Sequence, residues 1–222
     1  MKKIILVNTL LLSSLFAFAQ KNIVAQDTIP KTSNVLDIIT ELLNEALYSD
    51  TIEFFDFDID DVFLLFKSGY IISKSEKNAI VVIVNDMTGL LKLYSIQNNN
   101  WQLTDSMSNL ENIYLVNFDI IFDDYNFDGQ TDIFLRASAS NGYSISRGYL
   151  IIIDPKTKKF ELHKEARELG NMTLDPKTKT IKSEEWNGWN DRGVGPYATV
   201  FTHKWKNGKL KTISKKNVAI RF

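Results

Sequence analysis

From residue 51 onward the chain is a succession of strand-length runs, either apolar throughout or alternating with period two. In order they are "TIEFFDFDID", "VFLLFKS", "YIISKS", "AIVVIVND", "LLKLYSIQ", "WQLTDS", "IYLVNFDIIF", "DIFLRAS", "YLIIID", "KFELHK", "TIKSEEW", "YATVFTHKW" and "LKTISKK". Strong reversal signals separate several of them: "DPKTKK" from Asp154, "DPKTKT" from Asp175 and "KNGK" from Lys206. Pro pre-sets the first turn dihedral and Asn-Gly tolerates positive φ, so such segments reverse the chain within a few residues. The pattern predicts a mainly β protein of consecutive antiparallel hairpins.

One segment departs from this period. Val35, Leu36, Ile39, Leu42, Leu43, Ala46 and Leu47 recur at three- and four-residue spacing, with Ser33 placed to cap, which predicts one amphipathic helix near residues 33 to 48. The 222 residues, with 44% hydrophobic side chains, suffice for one buried core, so residues 33–222 are expected to form a single β-rich domain.

The first residues, "MKKIILVNTLLLSSLFAFAQ", combine Lys2 and Lys3, an apolar run, and the small residues Ala17 and Ala19. That layout predicts a secretory signal peptide over 1–19 and a lead-in over 20–32, too short and wrongly flanked for a spanning helix. Cysteine is absent. An exported chain without disulfides depends on core burial, a bound ion, or both, and it has no cysteine to acylate. A periplasmic or secreted monomer is expected. With 26 basic and 27 acidic residues, and lysines such as Lys156, Lys158 and Lys159 scattered over turns, nucleic acid is not an expected partner.

The segment "DDYNFDGQTDIFL" carries the most specific chemistry. Asp124, Asn126 and Asp128 hold positions one, three and five of an EF-hand-like loop; Gly129 is at six, Gln130 at seven and Asp132 at nine. The glycine permits the sharp turn, and position seven coordinates through its carbonyl. Position twelve is Leu135 rather than a bidentate Glu, and both flanks read as strands, so the expectation is a strand-loop-strand Ca²⁺ site with Asp132 as a direct ligand. Oxygen donors without His or Cys favour Ca²⁺ over zinc or copper. The alternative is a polar turn with exposed acids. A second acidic run, "DFDIDD" from Asp56, has no turn glycine; there a strand is expected to bury Phe55 and Phe57 and expose Asp56, Asp58 and Asp60.

Together with "RGYLIIIDPKTKKFELHKEARELGNMTLDPKTKTIKSEEWNG" and "GPYATVFTHKWKNGKLK", the acidic loop resembles the calcium-binding periplasmic immunity proteins that inhibit lysozyme-like peptidoglycan hydrolases delivered by type IV secretion. In that family an N-F-D-G-x-x-D loop precedes a Tyr-containing strand, a D-x-x-x-x-x-F hairpin, a second hairpin and a final strand pair joined by an N/D-G-K-L turn. The matching positions are Asn126 to Asp132, Tyr149, Asp154 to Phe160, Asp175 to Ile181 and Asn207 to Leu210. The resemblance spans about residues 115 to 215 and is loose before that. It implies a propeller-like β fold, bound calcium and a hydrolase as partner. The lipid-anchoring cysteine of some members is missing. Integrin-type propellers share the loop, but such propellers need several copies, and only one good copy is present here.

Catalysis is not expected. His163 and His203 lie in neither an H-E-x-x-H nor a G-x-S-x-G setting, and the adjacent Glu184 and Glu185 point to opposite faces of a strand, which is poor geometry for a glycosidase pair. For binding, "EEWNGWNDRGVGPY" reads as a long loop offering Trp186, Trp189, Arg192 and Tyr197 to a partner, with inward-tucked tryptophans as the alternative. "SASNGYSISRGY" would add Asn141, Gly142, Tyr143 and Arg147. Two functions remain open: an exported inhibitor that inserts this loop into the cleft of a cell-wall hydrolase, or a non-catalytic carbohydrate- or protein-binding β-module of the envelope.

Overall fold

The computed structural model describes residues 34–59, 62–139, 146–189 and 196–219. The signal-peptide and lead-in segments lie outside them. Helix α1 (Val35–Tyr48) is followed by strands β1 (Ile52–Ile59), β2 (Val62–Gly69), β3 (Asn78–Asn85), β4 (Thr88–Gln97) and β5 (Asn100–Leu110). Next come β6 (Asp119–Asp123), β7 (Asp132–Ala139), β8 (Ser146–Ile153) and β9 (Phe160–His163), then β10 (Gly170–Asp175), β11 (Thr180–Trp189), β12 (Pro196–Lys206) and β13 (Lys209–Ala219). Each group is one antiparallel meander, so the chain builds sheets β1-β5, β6-β9 and β10-β13 in sequence order. The mainly β architecture of consecutive hairpins is found as expected. Its propeller-like elaboration goes further than the structure does: among the described residues the three sheets close no barrel.

Burial explains the order of layers. The uninterrupted apolar runs of β2 and β3 are those of strands covered on both faces. Phe63, Leu65, Ile80 and Val82 face the second sheet and pack with Ile133, Leu135, Ile151 and Ile153. Leu64, Phe66, Ala79 and Val81 face the other way, onto Ile38, Ile39, Leu42 and Ala46 of α1. The second sheet repeats the device. Its other face, with Phe134, Leu150 and Ile152, meets Ile181, Leu210 and Trp205 of the third sheet. Helix and sheets are therefore stacked in chain order, each interface closed by the alternate side chains of a central strand.

The helix starts one residue later than its sequence suggests. Asn34, not Ser33, is the cap: its Oδ1 accepts the amides of Leu36 and Asp37 at 2.9 and 3.1 Å. At the other end Lys77 reaches back from the start of β3, its Nζ donating to the carbonyls of Ala46, at 2.5 Å, and Ser49. A cation on the last turn meets both the open carbonyls and the negative end of the helix dipole.

Four strand expectations are corrected. "IYLVNFDIIF" is a strand only from Asp119, because Leu115–Asn117 close a 3-10 turn in which the Asn117 and Phe118 amides donate to the carbonyls of Tyr114 and Leu115. "YIISKS" forms no strand, because Ile72 is pinned in the core, its carbonyl accepts the Thr131 amide, and Ser73 caps a local turn at Glu76. β10 was hidden in the "GNMTLD" approach to a turn, a short run with weak alternation. In β1 the alternation runs in the opposite phase: Phe54 is buried while Phe55 is 53% exposed. Ile52 and Phe54 set that phase by packing on the helix side of the first sheet, which turns Glu53 and Phe55 outward. Asp56 consequently sits half-buried instead of on a solvated face, and the side chains of Phe57, Asp58 and Asp60 lie outside the described residues.

Candidate metal site and partner surface

The acidic loop joins β6 to β7 and is folded by its own side chains. Asp124 Oδ1 and Asn126 Oδ1 both accept the Asp128 amide, at 3.0 and 2.9 Å, so one N–H draws two side-chain oxygens together. Asp124 Oδ2 accepts the Gly129 amide at 2.9 Å, and Asp128 Oδ1 accepts that of Gln130 at 2.8 Å. Asn126 Nδ2 donates to Asp128 Oδ2 at 2.9 Å. Gly129 supplies the reversal at φ +89°, a region that L side chains rarely occupy.

Asp132 is turned inward and fully buried. Its Oδ2 accepts the amides of Tyr125 and Asn126 at 3.0 and 3.2 Å, and its Oδ1 accepts that of Ile153 at 3.1 Å. Burial is the largest influence on this carboxyl; together with the charges of Asp128 and Asp124 it pushes the group up to about 7, against the opposing pull of the Ile153 and Asn126 amides.

The loop is also where the layers are tied together. Thr131 donates its amide to Ile72 at the edge of the first sheet, at 3.1 Å. Trp205 of β12 donates its indole N–H to the Tyr125 carbonyl at 2.8 Å. The Tyr125 and Phe127 side chains pack into the core between the second and third sheets. Apolar residues at the even steps of the loop anchor it, while the acidic and amide side chains between them form its hydrogen-bonded rim.

Whether these residues fit Ca²⁺ turns on the donor set. Asp124, Asn126 and Asp128 supply hard oxygens, two of them gathered on one amide, and a buried acid with a raised protonation range lies beneath them. Burial is the main cause of that rise, and a cation would relieve the part that comes from the charges of Asp128 and Asp124. Among the described residues no three His, Cys, Asp or Glu side chains converge on a metal position by themselves. An ion here would therefore need Asn126, a backbone carbonyl such as that of Gln130, and water alongside Asp124 and Asp128. The donors fit an oxygen-loving cation in type.

The segment expected to be a long loop is largely a hairpin. β11 runs to Trp189 and β12 starts at Pro196, with Trp186 opposite Ala198 and Trp189 opposite Pro196. Pairing takes Trp186 and Tyr197 out of any loop and onto strands, both half-buried. Gly188, at φ +74°, accommodates the irregular register between Trp186 and Trp189. Arg192 and the Trp189 side chain lie outside the described residues, as do Asn141, Gly142 and Tyr143. Arg147 lies on β8 and meets Glu168 at 3.8 Å.

Both histidines sit on strands and are buried. His203 Nε2 contacts Ser183 Oγ at 2.7 Å and its Nδ1 contacts Thr212 Oγ1 at 3.1 Å, so three strands are joined through one imidazole, and burial pushes its protonation below the usual range. Ser183 is itself buried, which makes the pair an internal tether. No spacing signal exposes this triplet in the sequence, because its members come from three strands.

No family model matches the chain, and no curated protein matches it. Among solved structures it is similar to a Xanthomonas protein described as related to the type IV secretion system, with a TM-score of 0.39 and 15% identity over 74% of this chain and 81% of that one.

Proposed function

We propose that the chain is an exported, non-catalytic β protein whose acidic loop binds Ca²⁺ and which inhibits a peptidoglycan hydrolase by presenting the tip of the β11-β12 hairpin to its cleft. The observation that carries this reading is the loop itself: Asp124 and Asn126 share the Asp128 amide, and the same loop reaches Ile72, Ile153 and Trp205. An ion there would stiffen the junction of all three sheets and, through Trp205 of β12, the base of the hairpin. The hydrolase as partner follows from the resemblance of residues 115 to 215 to calcium-binding immunity proteins.

Arg and aromatic anchors commonly lose about 2 kcal/mol or more when truncated at a buried interface. Replacing Arg192 and Tyr197 together by Ala should abolish inhibition of a lysozyme-like hydrolase in a cell-wall turbidity assay while the thermal midpoint stays nearly constant. Unchanged inhibition rules the hairpin tip out as the contact. A second reading, a carbohydrate-binding envelope module, is favoured by one observation: two open clefts on the third sheet that combine an aromatic ring with polar side chains.

A further inference from the structure

The third sheet extends beyond the layer that covers it. Two cross-strand rows lie side by side on one face of its outer half: Ser183-Phe201-Lys215, and Glu185-Thr199-Asn217. Residues two apart on a strand stand about 7 Å from one another, so the rows are separated by about the width of a sugar ring. Two open clefts of about 310 and 350 Å³ lie on this face, and both are bounded by Glu185 and Phe201. Such volumes fall at the lower end of those that hold small ligands, about 300 Å³ upward.

The lining selects among ligand classes. Asn187 Nδ2 donates to Thr199 Oγ1 at 2.7 Å, and Thr199 Oγ1 donates to Asn217 Oδ1 at 2.9 Å. That relay leaves an acceptor at the Asn187 end and a donor at the Asn217 end, which suits hydroxyl groups that both donate and accept. Phe201, half-exposed in the first row and lining both clefts, brings an aromatic ring whose negative quadrupole attracts polarised C–H groups. Arg147 and Lys215 stand among the carboxylates of Glu168, Glu184 and Glu185 around the two clefts, so the lining is slightly acidic and disfavours a phosphate.

We propose that this face is a binding site for a neutral oligosaccharide, one ring seated on Phe201 and the next along Thr199 and Asn217. The second, carbohydrate-binding reading given above is thereby deepened to a place and a ligand class. Its test contains no hydrolase, so its failure leaves the inhibition reading intact.

Amide chemical shifts of ¹⁵N-labelled full chain would be followed while tetrasaccharides of N-acetylglucosamine and of glucose are added in separate titrations. Shifts concentrated at Ser183, Glu185, Thr199, Phe201 and Asn217 with at least one of them are expected. Phe201→Ala should weaken binding about tenfold, equivalent to about 1.4 kcal/mol. The exposed Asn217→Ala, which spares the packing, should weaken it several-fold, and Lys216→Ala on the opposite face should leave it unchanged. The proposal is overturned if both sugars leave these amides unmoved at millimolar concentration, if folded Asn217→Ala and Phe201→Ala bind as the parent does, or if inorganic phosphate moves the same amides more than either sugar.

Discussion

Asp132 Oδ1 accepts the amide of Ile153 at 3.1 Å, at the position where β8 has run past the start of β7. A loop carboxylate thus supplies the acceptor that the neighbouring strand no longer offers, and its other oxygen holds the amides of Tyr125 and Asn126. Removing it strands buried donors, each costing about 1 to 3 kcal/mol. Asp132→Ala should therefore lower the urea unfolding free energy by about 3 kcal/mol or more. Asp132→Asn keeps one acceptor oxygen and should lose roughly half as much. A loss below about 1 kcal/mol for the Ala variant would show that the carboxylate does not hold this corner.

Asp132 and His203 predict opposite pH dependences. The folded Asp132 carboxyl is raised from 3.8 to about 7, so the folded state holds its proton more tightly than the unfolded one. That contribution is full below about 4 and is lost as pH rises through about 7. For His203, burial lowers the folded value beneath 6.5; its contribution is present above 6.5 and is lost as pH falls through the folded value. In chelator, Asp132→Asn should flatten the decline in stability between pH 4 and 7, and His203→Gln should flatten the loss on the acid side. Unfolding free energies at closely spaced pH values read both. Parent-like profiles in the two variants would remove the assignment.

The helix, the hairpin order and most strands were legible because burial imposes period. β2, β3, β7 and β8 read as apolar runs since both faces are covered, and the turns at Asp154 and Asp175 carry their own Asx hydrogen bonds to Lys156, Thr157, Lys177 and Thr178. Phase was harder. The run "EFFDF" alternates equally well in either register, and only the packing of Phe54 against the helix layer decides which aromatic turns inward. The oxygen-bearing residues of the acidic loop could be read from spacing, because their contacts are local. The ties from that loop to Ile72, Ile153 and Trp205 could not, since the partners lie far away in the chain and belong to different sheets.

Gly148 offers a test of close packing between β7 and β8. A Cβ built there would stand 2.2 Å from the Leu135 carbonyl oxygen, a backbone atom that cannot swing aside, and the register is irregular just beyond, between Arg136 and Ser138. Gly148→Ala should therefore separate the two strands locally and cost about 2 kcal/mol or more, within the range of overpacking mutants. Gly208→Ala has open space at its Cβ but a φ of +69°, so its cost should reflect backbone strain alone, about 1 kcal/mol. Equal thermal midpoints for the two variants would contradict the close approach.

Calcium should act on the whole molecule through one loop. Without a cation, Asp124 and Asp128 stand on a short turn above the buried Asp132, and their mutual repulsion is offset by the amides of residues 128 to 130 and by the Asn126 side-chain amide. An ion that binds the folded state alone stabilises it by roughly 2.7 kcal/mol at a hundredfold excess over its dissociation constant, which moves the melting midpoint by several degrees for a domain of this size. Magnesium should do less, because its strict octahedron suits a loop of mixed side-chain and carbonyl oxygens poorly. Asp128→Ala should remove most of the calcium shift, and Asp58→Ala should leave it intact. Bound calcium should also remove the Asp132-dependent decline in stability toward neutral pH, since a neighbouring cation favours the ionised carboxylate. A melting midpoint equal in calcium and in chelator, with the decline unchanged, would make the loop a hydrogen-bonded corner that needs no ion.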